Sequence, residues 1–153
     1  MRVLENKIPP PIVAALFAFV MWCISLLLPT VEMSTAIRWV LSVVVIATGV
    51  FFCLAGVVSF RQAKTTVNPL KPETTTALVD SGIYAISRNP MYVGFSLFLL
   101  AWAVYLSSPW VSVGVLGFVM YMNRFQIVPE ERALKGIFGP EFTQYQAKVR
   151  RWL

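Results

Sequence analysis

The sequence predicts an all-α membrane protein, with four transmembrane helices, a cytoplasmic loop and C-terminal interfacial helices. Hydrophobic residues make up 58% of the 153 residues, and charged residues make up 13%. An ordinary soluble domain carries about 25% charged residues, so this chain is too apolar to be one. Its apolar residues fall into four runs. Within a single integral membrane domain, 1–153, we predict spans at residues 12–28, 37–60, 91–106 and 110–128.

The first apolar run follows Arg2 and Lys7, a charge pattern that signal peptides share. It is long for the apolar core of a signal peptide, and the segment from Pro29 to Met33 offers no pair of small residues for cleavage. We interpret it as a membrane anchor, with a cleaved signal peptide as the alternative. The first and third runs reach only about 25 Å, so we expect a locally thin bilayer or packing against neighbouring helices.

A polar segment punctuated by Gly and Pro leads into the third run. Arg88, Asn89 and Tyr92 lie where water gives way to lipid, and polar groups are costly there unless a ligand or partner satisfies them. Gly94 follows one helical turn after Pro90, where either a ligand or another helix could approach the backbone closely. We interpret Arg88, Asn89 and Tyr92 as one wall of a ligand site.

The last two runs are predicted to form a tight hairpin through residues 107–109. After them, Glu130 and Glu131 open a short helix that Gly139 ends, and a second helical pattern continues to Trp152. This second helix either anchors the tail at the membrane surface or covers a site.

Arg124 lies about two helical turns before the glutamate pair. It could line one pocket with Arg88, Tyr92 and the glutamates, or it could extend to lipid head groups. Acidic residues at a helix start also interact favourably with the helix dipole, so the glutamate pair alone is a weak indication of a site.

The distribution of charge indicates an orientation in the membrane. Of the 13 Lys and Arg residues, only Arg38 falls between the first two runs and none falls in the segment 107–109. The other twelve share one side, so we expect both termini in the cytoplasm, and we predict the inner membrane of a bacterium. The positive charge also attracts anionic membrane lipids. No nucleic-acid partner is expected, because the basic residues form no binding motif.

The chain has few side chains that commonly carry out catalysis or bind metals. The chain has no histidine, and its two cysteines, Cys23 and Cys53, lie in separate apolar runs. We therefore predict neither a metal site nor a redox pair, and any chemistry must proceed without imidazole. A Rossmann fold is not expected either, since no glycine-rich turn links a strand to a helix.

Three motifs follow one another in the second half of the chain. They are Gly82-Ile83-Tyr84, the run Arg88-Asn89-Pro90-Met91-Tyr92-Val93-Gly94, and Glu130-Glu131 followed by Leu134, Phe138-Gly139 and Tyr145. In order and spacing they resemble the C-terminal signature of the isoprenylcysteine carboxyl methyltransferases and related phospholipid methyltransferases. The resemblance covers residues 65–153, which we take as the cofactor-binding part.

The resemblance implies an integral membrane enzyme that binds S-adenosylmethionine in a pocket facing the cytoplasm. Carried over to this sequence, Arg88, Arg124 and Glu131 would have catalytic roles, with the two arginines facing the head group of the substrate. The residues that would bind the cofactor are Gly82, Ile83, Tyr84, Asn89, Pro90, Tyr92, Gly94, Glu130 and Glu131.

One position departs from the family pattern, which commonly has a histidine where this chain has Asn89. An amide can donate and accept hydrogen bonds, but it cannot take a proton. We expect methyl transfer to a lipophilic substrate or lipid that enters from the bilayer. Carboxyl O-methylation is favoured, because a carboxylate nucleophile needs no base. N-methylation of a lipid amine such as phosphatidylethanolamine is one alternative, and a non-catalytic lipid-binding or assembly protein is another. The sequence leaves the oligomeric state open.

Overall fold

The computed structural model describes residues 5–63 and 77–153, and most of these residues are helical. Residues 65–76 of the predicted cofactor-binding part lie outside the described residues. The α-helices are α1 (Pro10–Ser25), α2 (Thr35–Gln62), α3 (Pro90–Leu106), α4 (Ser112–Met122), α5 (Val128–Phe138) and α6 (Pro140–Lys148).

Within the described residues, two helices are long and apolar enough to cross a membrane: α2, with 28 residues, and the 30-residue helix Pro109–Phe138. The latter is continuous because a π-helical segment, Asn123–Ile127, joins α4 to α5. α1 and α3 are also apolar, but they contain only 16 and 17 residues. The predicted all-helical fold class is thus confirmed, whereas the count of four spans stays a prediction.

Proline and positive backbone φ angles define several helix ends. Pro10 and Pro90 stand in the first turns of α1 and α3, where the missing N–H costs no helical hydrogen bond. Ser107 follows the last residue of α3 and Gly139 follows the last residue of α5, with φ angles of 52° and 50°. α1 ends at Ser25, earlier than the sequence predicts, because a turn separates it from the following loop.

α2 and α3 pack closely because small residues line their contact. A Cβ atom added to Gly94 would overlap Sγ of Cys53 and would lie 2.8 Å from the carbonyl oxygen of Gly49. A Cβ atom on Gly56 would likewise lie 2.8 Å from Cγ of Met91. Gly94 therefore allows another helix to approach, which is one of the two interpretations that the sequence left open.

α1 packs on α3 and α4 and completes the apolar core. Met21 and Phe118 are fully buried in this core. The rings of Phe17 and Phe118 meet edge to face, with their centroids 6.0 Å apart. The indole N–H of Trp102 donates a hydrogen bond to the carbonyl oxygen of Ala18, at 3.0 Å, so α3 is tied to α1.

The two loops at one end of the helices are bonded to each other. The N–H of Val31 donates to the carbonyl oxygen of Ser107 at 2.7 Å, and the hydroxyl of Ser108 donates to that of Pro29 at 3.3 Å. The opposite end, where α3 begins, carries the 3₁₀ turn Gly82–Ala85, α5 and α6. The polar motifs of the sequence therefore gather at one end of the protein.

Candidate active site

The start of α3 contacts the start of α5. Tyr92, in the first turn of α3, donates a hydrogen bond from its hydroxyl to Oε1 of Glu130, at 2.5 Å. The Tyr92 side chain is buried, with 6% of its residue surface exposed. Two motifs that are 38 residues apart in the sequence therefore meet through polar side chains.

Glu131 holds two arginines on the same side of the protein. Arg88 Nη2 lies 3.1 Å from Glu131 Oε1. Arg151 forms a bidentate pair, with Nε 3.0 Å from Oε1 and Nη2 2.7 Å from Oε2. We call Arg88, Glu131 and Arg151 the arginine–glutamate cluster. Two cations and one carboxylate leave this partly buried cluster with a net positive charge.

Two donor atoms of the Arg88 guanidinium are not used in hydrogen bonds with the described residues. Its Nε and Nη1 atoms are buried and have no hydrogen-bond partner within residues 5–63 and 77–153. Leaving a buried N–H group without an acceptor costs about 1–3 kcal/mol, and more when the group is charged. A carboxylate or phosphate offers two oxygens that match the fork of a guanidinium. The arrangement is therefore suited to bind an anionic group.

The C-terminal segment, residues 149–153, follows α6 without helical structure and lies against the start of α3. Ser87 and Arg150 form a parallel β-bridge, in which the N–H of Arg88 donates to the carbonyl oxygen of Arg150 at 3.0 Å. The prediction that a helix continues to Trp152 is wrong, since α6 ends at Lys148. Pairing with residue 87 replaces the helical hydrogen bonds there.

Asn89 supports this pairing with its side chain. Its Nδ2 donates to the carbonyl oxygen of Arg151 at 2.9 Å, and its backbone N–H donates to the hydroxyl of Ser87 at 3.1 Å. The residue at the position of the family histidine thus holds the C-terminal segment against the start of α3. Pro90, the next residue, is buried in the first turn of the helix.

The 3₁₀ turn brings the first motif to the same end. Gly82 has a φ of 61°, and a Cβ atom there would lie 2.8 Å from the Ser59 hydroxyl on α2. Ile83 and Tyr84 are buried, and the Tyr84 ring meets Phe60 edge to face at 5.2 Å. The turn is therefore fixed against the end of α2.

Tyr145 of α6 is bonded to this turn, since its hydroxyl donates to the carbonyl oxygen of Tyr84 at 2.8 Å. A groove of about 340 Å³ lies beside the bond, lined by Asp80 and Ala85 on one side and by Gln144 and Lys148 of α6 on the other. Burial raises the pKa of the Tyr84 and Tyr145 phenols above their ordinary value. Both hydroxyls therefore stay protonated and cannot serve as bases.

Two predicted site residues, Arg124 and Gly94, lie away from the arginine–glutamate cluster. Arg124 Nη1 lies 3.5 Å from Glu5, whose carboxylate also binds Arg132 at 3.2 Å. The Arg124 side chain is 48% exposed, and its contacts do not reproduce the predicted pocket with Arg88. Gly94 faces α2 rather than the arginine–glutamate cluster. Catalytic or cofactor-binding roles for these two residues stay predictions.

The sequence did not reveal Arg151, Ser87 or Glu5 as parts of this end of the protein. In the sequence, Arg151 stands beside Arg150 near the end of the chain. No local pattern indicates that it forms an ion pair with Glu131, 20 residues earlier. Glu5 is a single acidic residue near the start of the chain, and its two arginine partners lie more than a hundred positions away.

The π-helical segment lies one turn before the glutamates and is held by distant residues. The indole N–H of Trp152 donates to Oδ1 of Asn123 at 3.1 Å, and Nε2 of Gln126 donates to the carbonyl oxygen of Ile8 at 2.7 Å. A π turn inserts one residue relative to an α-helix and so rotates everything that follows. The segment therefore sets the direction in which Glu130 and Glu131 point.

Comparison with known proteins identifies the family. A family model described as phospholipid methyltransferase matches residues 37–141. A rice protein (Oryza sativa subsp. indica) named probable protein-S-isoprenylcysteine O-methyltransferase is 30% identical over 132 residues, which are 84% of this chain and 67% of the rice protein.

Other relatives match over shorter stretches. Protein-S-isoprenylcysteine O-methyltransferase B of Arabidopsis thaliana is 31% identical over 83 residues, 52% of this chain and 41% of that protein's length. An uncharacterized protein of Haemophilus influenzae is 44% identical over 63 residues, 41% of this chain and 100% of that protein. The match to the Arabidopsis enzyme thus spans less than half of its length. The family model covers more than half of this chain, and the rice relative is matched over two thirds of its length. The chain therefore belongs to the family of phospholipid and isoprenylcysteine methyltransferases.

Proposed function

We propose that the chain is an S-adenosylmethionine-dependent methyltransferase acting on a lipophilic substrate within the membrane. The observation that carries the proposal is the convergence of Arg88, Tyr92, Glu130 and Glu131 at one end of the helices, with two buried N–H groups of Arg88 still without acceptors among the described residues. An ion pair with a purely structural role gives no reason for leaving these two N–H donors unused. A site that binds an anion gives that reason, because the anion would supply the acceptors.

The residues fit the chemistry of the proposed cofactor. S-adenosylmethionine carries a carboxylate and an ammonium group on its methionine part and supplies a methyl group from its sulfonium. The free N–H groups of Arg88 suit a carboxylate, and the carboxyl oxygens of Glu130 can accept hydrogen bonds from an ammonium group. The chain's own contribution would be to bind both reactants, orient them and exclude water, because methyl transfer depends mainly on orientation in a desolvated site.

Calorimetric titration with S-adenosylhomocysteine tests cofactor binding, and a wild-type protein that does not bind would favour a non-catalytic lipid-binding or assembly protein. The same titration of Arg88→Gln locates the anion that Arg88 serves. Loss of binding assigns the arginine to the cofactor carboxylate. Retained binding with loss of turnover assigns it to the head group of the substrate.

For the methyl acceptor we favour a carboxylate, as in the relatives named isoprenylcysteine O-methyltransferases. The chain has no histidine, and the pKa values of Tyr84 and Tyr145 are raised by burial, so among the candidate-site residues only Glu130 and Glu131 are left to remove a proton from an amine. The alternative, N-methylation of a phospholipid amine, is favoured by the description of the matching family model.

Alkaline hydrolysis distinguishes a carboxyl methyl ester from an N-methylated phospholipid. After reaction with a labelled methyl donor and total membrane lipids, a methyl ester releases volatile methanol in base, whereas an N-methyl group stays attached to the lipid. Release of the label as methanol supports carboxyl methylation. Label that remains in the lipid supports the amine alternative.

The proposal includes a membrane arrangement with four spans and both termini in the cytoplasm of a bacterial cell. α1 and α3 would then cross at their short lengths of 16 and 17 residues by packing against the two longer helices. The arginine–glutamate cluster would face the cytoplasm, where the cofactor is found, and the lipophilic part of the substrate would enter from the bilayer.

A further inference from the structure

Near the C-terminal end of α3, an arginine of α2 lies beside a group of aromatic rings. Arg38 of α2 lies over the ring of Tyr105, with Cζ 5.5 Å from the ring centroid. The Tyr105 ring also meets Trp39 edge to face at 5.2 Å and stacks on Trp102 at 5.4 Å. We call Arg38, Trp39, Trp102 and Tyr105 the arginine–aromatic cluster.

Arg38 lacks a negatively charged partner in the part of the chain that the structure describes. None of the ion pairs found among these residues includes it, although the exposed Glu32 lies in the loop that precedes α2. Its Nε–H group is buried and has no hydrogen-bond acceptor among the described residues. A buried guanidinium N–H without an acceptor is costly, so the site is energetically incomplete.

The aromatic residues hold the guanidinium in a fixed place. Trp102 is anchored by its hydrogen bond to the carbonyl oxygen of Ala18 on α1, at 3.0 Å, and the nearly parallel ring of Tyr105 stacks on it. A cation above an aromatic face keeps its N–H edge available for an anion. Arg38 is therefore oriented before any ligand arrives.

The surroundings favour a lipid over a soluble anion. Trp39 is 50% exposed and its neighbour Val40 is 61% exposed, so the cluster is bordered by large apolar side chains. Tryptophan and tyrosine concentrate at the level of the lipid head groups, where Arg can meet phosphates. A free phosphate ion would gain nothing from this apolar border.

We propose that the arginine–aromatic cluster binds the phosphate of a phospholipid, at the membrane surface opposite the arginine–glutamate cluster. The inference rests on the membrane arrangement given under the proposed function, and it does not require that the chain be an enzyme. The bound lipid would supply the missing acceptor for Arg38, while its acyl chains would lie along the exposed faces of α2 and α3.

Native mass spectrometry of the detergent-solubilised protein, titrated with phosphatidylglycerol, tests the proposal. We expect Arg38→Gln to weaken lipid binding about fivefold, since one cation near an anionic head group contributes at this level. Arg61→Gln is the matched control, because Arg61 is an exposed cation in the last turn of the same helix, at its other end. It should bind phosphatidylglycerol as the wild type does.

Three results would overturn the proposal. Arg38→Gln could bind the lipid like the wild type, or Arg61→Gln could lose as much affinity as Arg38→Gln, which would indicate general attraction between charges. Inorganic phosphate at the same concentration could displace the lipid, which would indicate a site for soluble anions. The thermal unfolding midpoint of Arg38→Gln, measured in parallel, verifies that the variant is folded, and because this measurement does not depend on cofactor binding it keeps the test separate from that of the enzyme.

Discussion

At the scale of single residues, the polar contacts of the candidate site are the most direct targets. Tyr92→Phe removes only the hydroxyl that binds Glu130, and Glu131→Ala removes the carboxylate that binds both arginines. We expect each to weaken S-adenosylhomocysteine binding about tenfold, since a hydrogen bond to a charged group contributes about 1.5–3 kcal/mol. Isothermal titration calorimetry measures the change.

The control for these variants is Glu32→Gln, which changes an exposed carboxylate at the other end of the protein. It should bind S-adenosylhomocysteine with the affinity of the wild type. Wild-type affinity in both Tyr92→Phe and Glu131→Ala, with intact thermal unfolding, would show that the assigned pocket is wrong.

Two glycines allow a matched test of helix packing. Gly94→Ala should lower the free energy of unfolding by about 1–3 kcal/mol, because the new methyl group has no space against Gly49 and Cys53. Gly136→Ala should raise it by about 0.5–1 kcal/mol, because nothing lies within 4 Å of that Cβ position and alanine favours the helix.

Thermal midpoints of both glycine variants in one detergent test this pair. A higher midpoint for Gly94→Ala would mean that α2 and α3 are not in contact through small residues. A lower midpoint for Gly136→Ala would mean that the open side of α5 is covered in solution.

At the scale of elements, the C-terminal segment is the part whose removal is most informative. A chain that stops after Val149 loses the β-bridge to Ser87, the ion pair of Arg151 and the hydrogen bond of Trp152 to Asn123. We expect it to keep its helical circular dichroism and to lose measurable binding of S-adenosylhomocysteine. The single variant Arg151→Gln should lose part of the affinity.

Normal cofactor affinity in the shortened chain would show that the segment only covers the site. Loss of helicity would show that it is needed for folding, and Arg151→Gln then carries the test alone.

The helices that begin at strong local signals could be predicted from the sequence. α3 was expected at 91–106 and spans Pro90–Leu106, because proline and an apolar run define it locally. The continuity of the fourth apolar run with the helix of Glu130 and Glu131, through the π-helical segment, and the end of α6 at Lys148 were not predicted. Both depend on contacts with distant residues, such as Trp152 with Asn123 and Arg150 with Ser87. Hydrophobic periodicity carries no information about such contacts.

The candidate site was predictable to a similar extent. Polar residues at a membrane boundary indicated Arg88 and Tyr92, and the glutamate pair after the last apolar run was expected to share their pocket. The family resemblance then assigned a cofactor to these residues. The pairing of Glu131 with Arg151, and of Arg124 with Glu5, could not be predicted. An ion pair between separate segments leaves no spacing pattern in the chain.

At the scale of the whole molecule, the proposed arrangement puts the loop at residues 26–34 and the tail on opposite sides of the membrane. With Cys23 and Cys53 replaced by alanine, Thr30→Cys should react with an impermeant maleimide in intact cells. Thr143→Cys should react only after permeabilisation. Reaction of both in intact cells would exclude the four-span topology.

The hydrogen bond between Asn89 and Arg151 joins residues 62 positions apart, and it has a consequence for the order of assembly. When the ribosome has made Asn89, the partner of its amide does not yet exist, and α3, α4 and α5 must be synthesised first. In the proposed four-span arrangement, insertion of α3 and α4 into the membrane can therefore begin before the polar pocket forms. The complete site is expected to assemble only after the C-terminal segment has been synthesised.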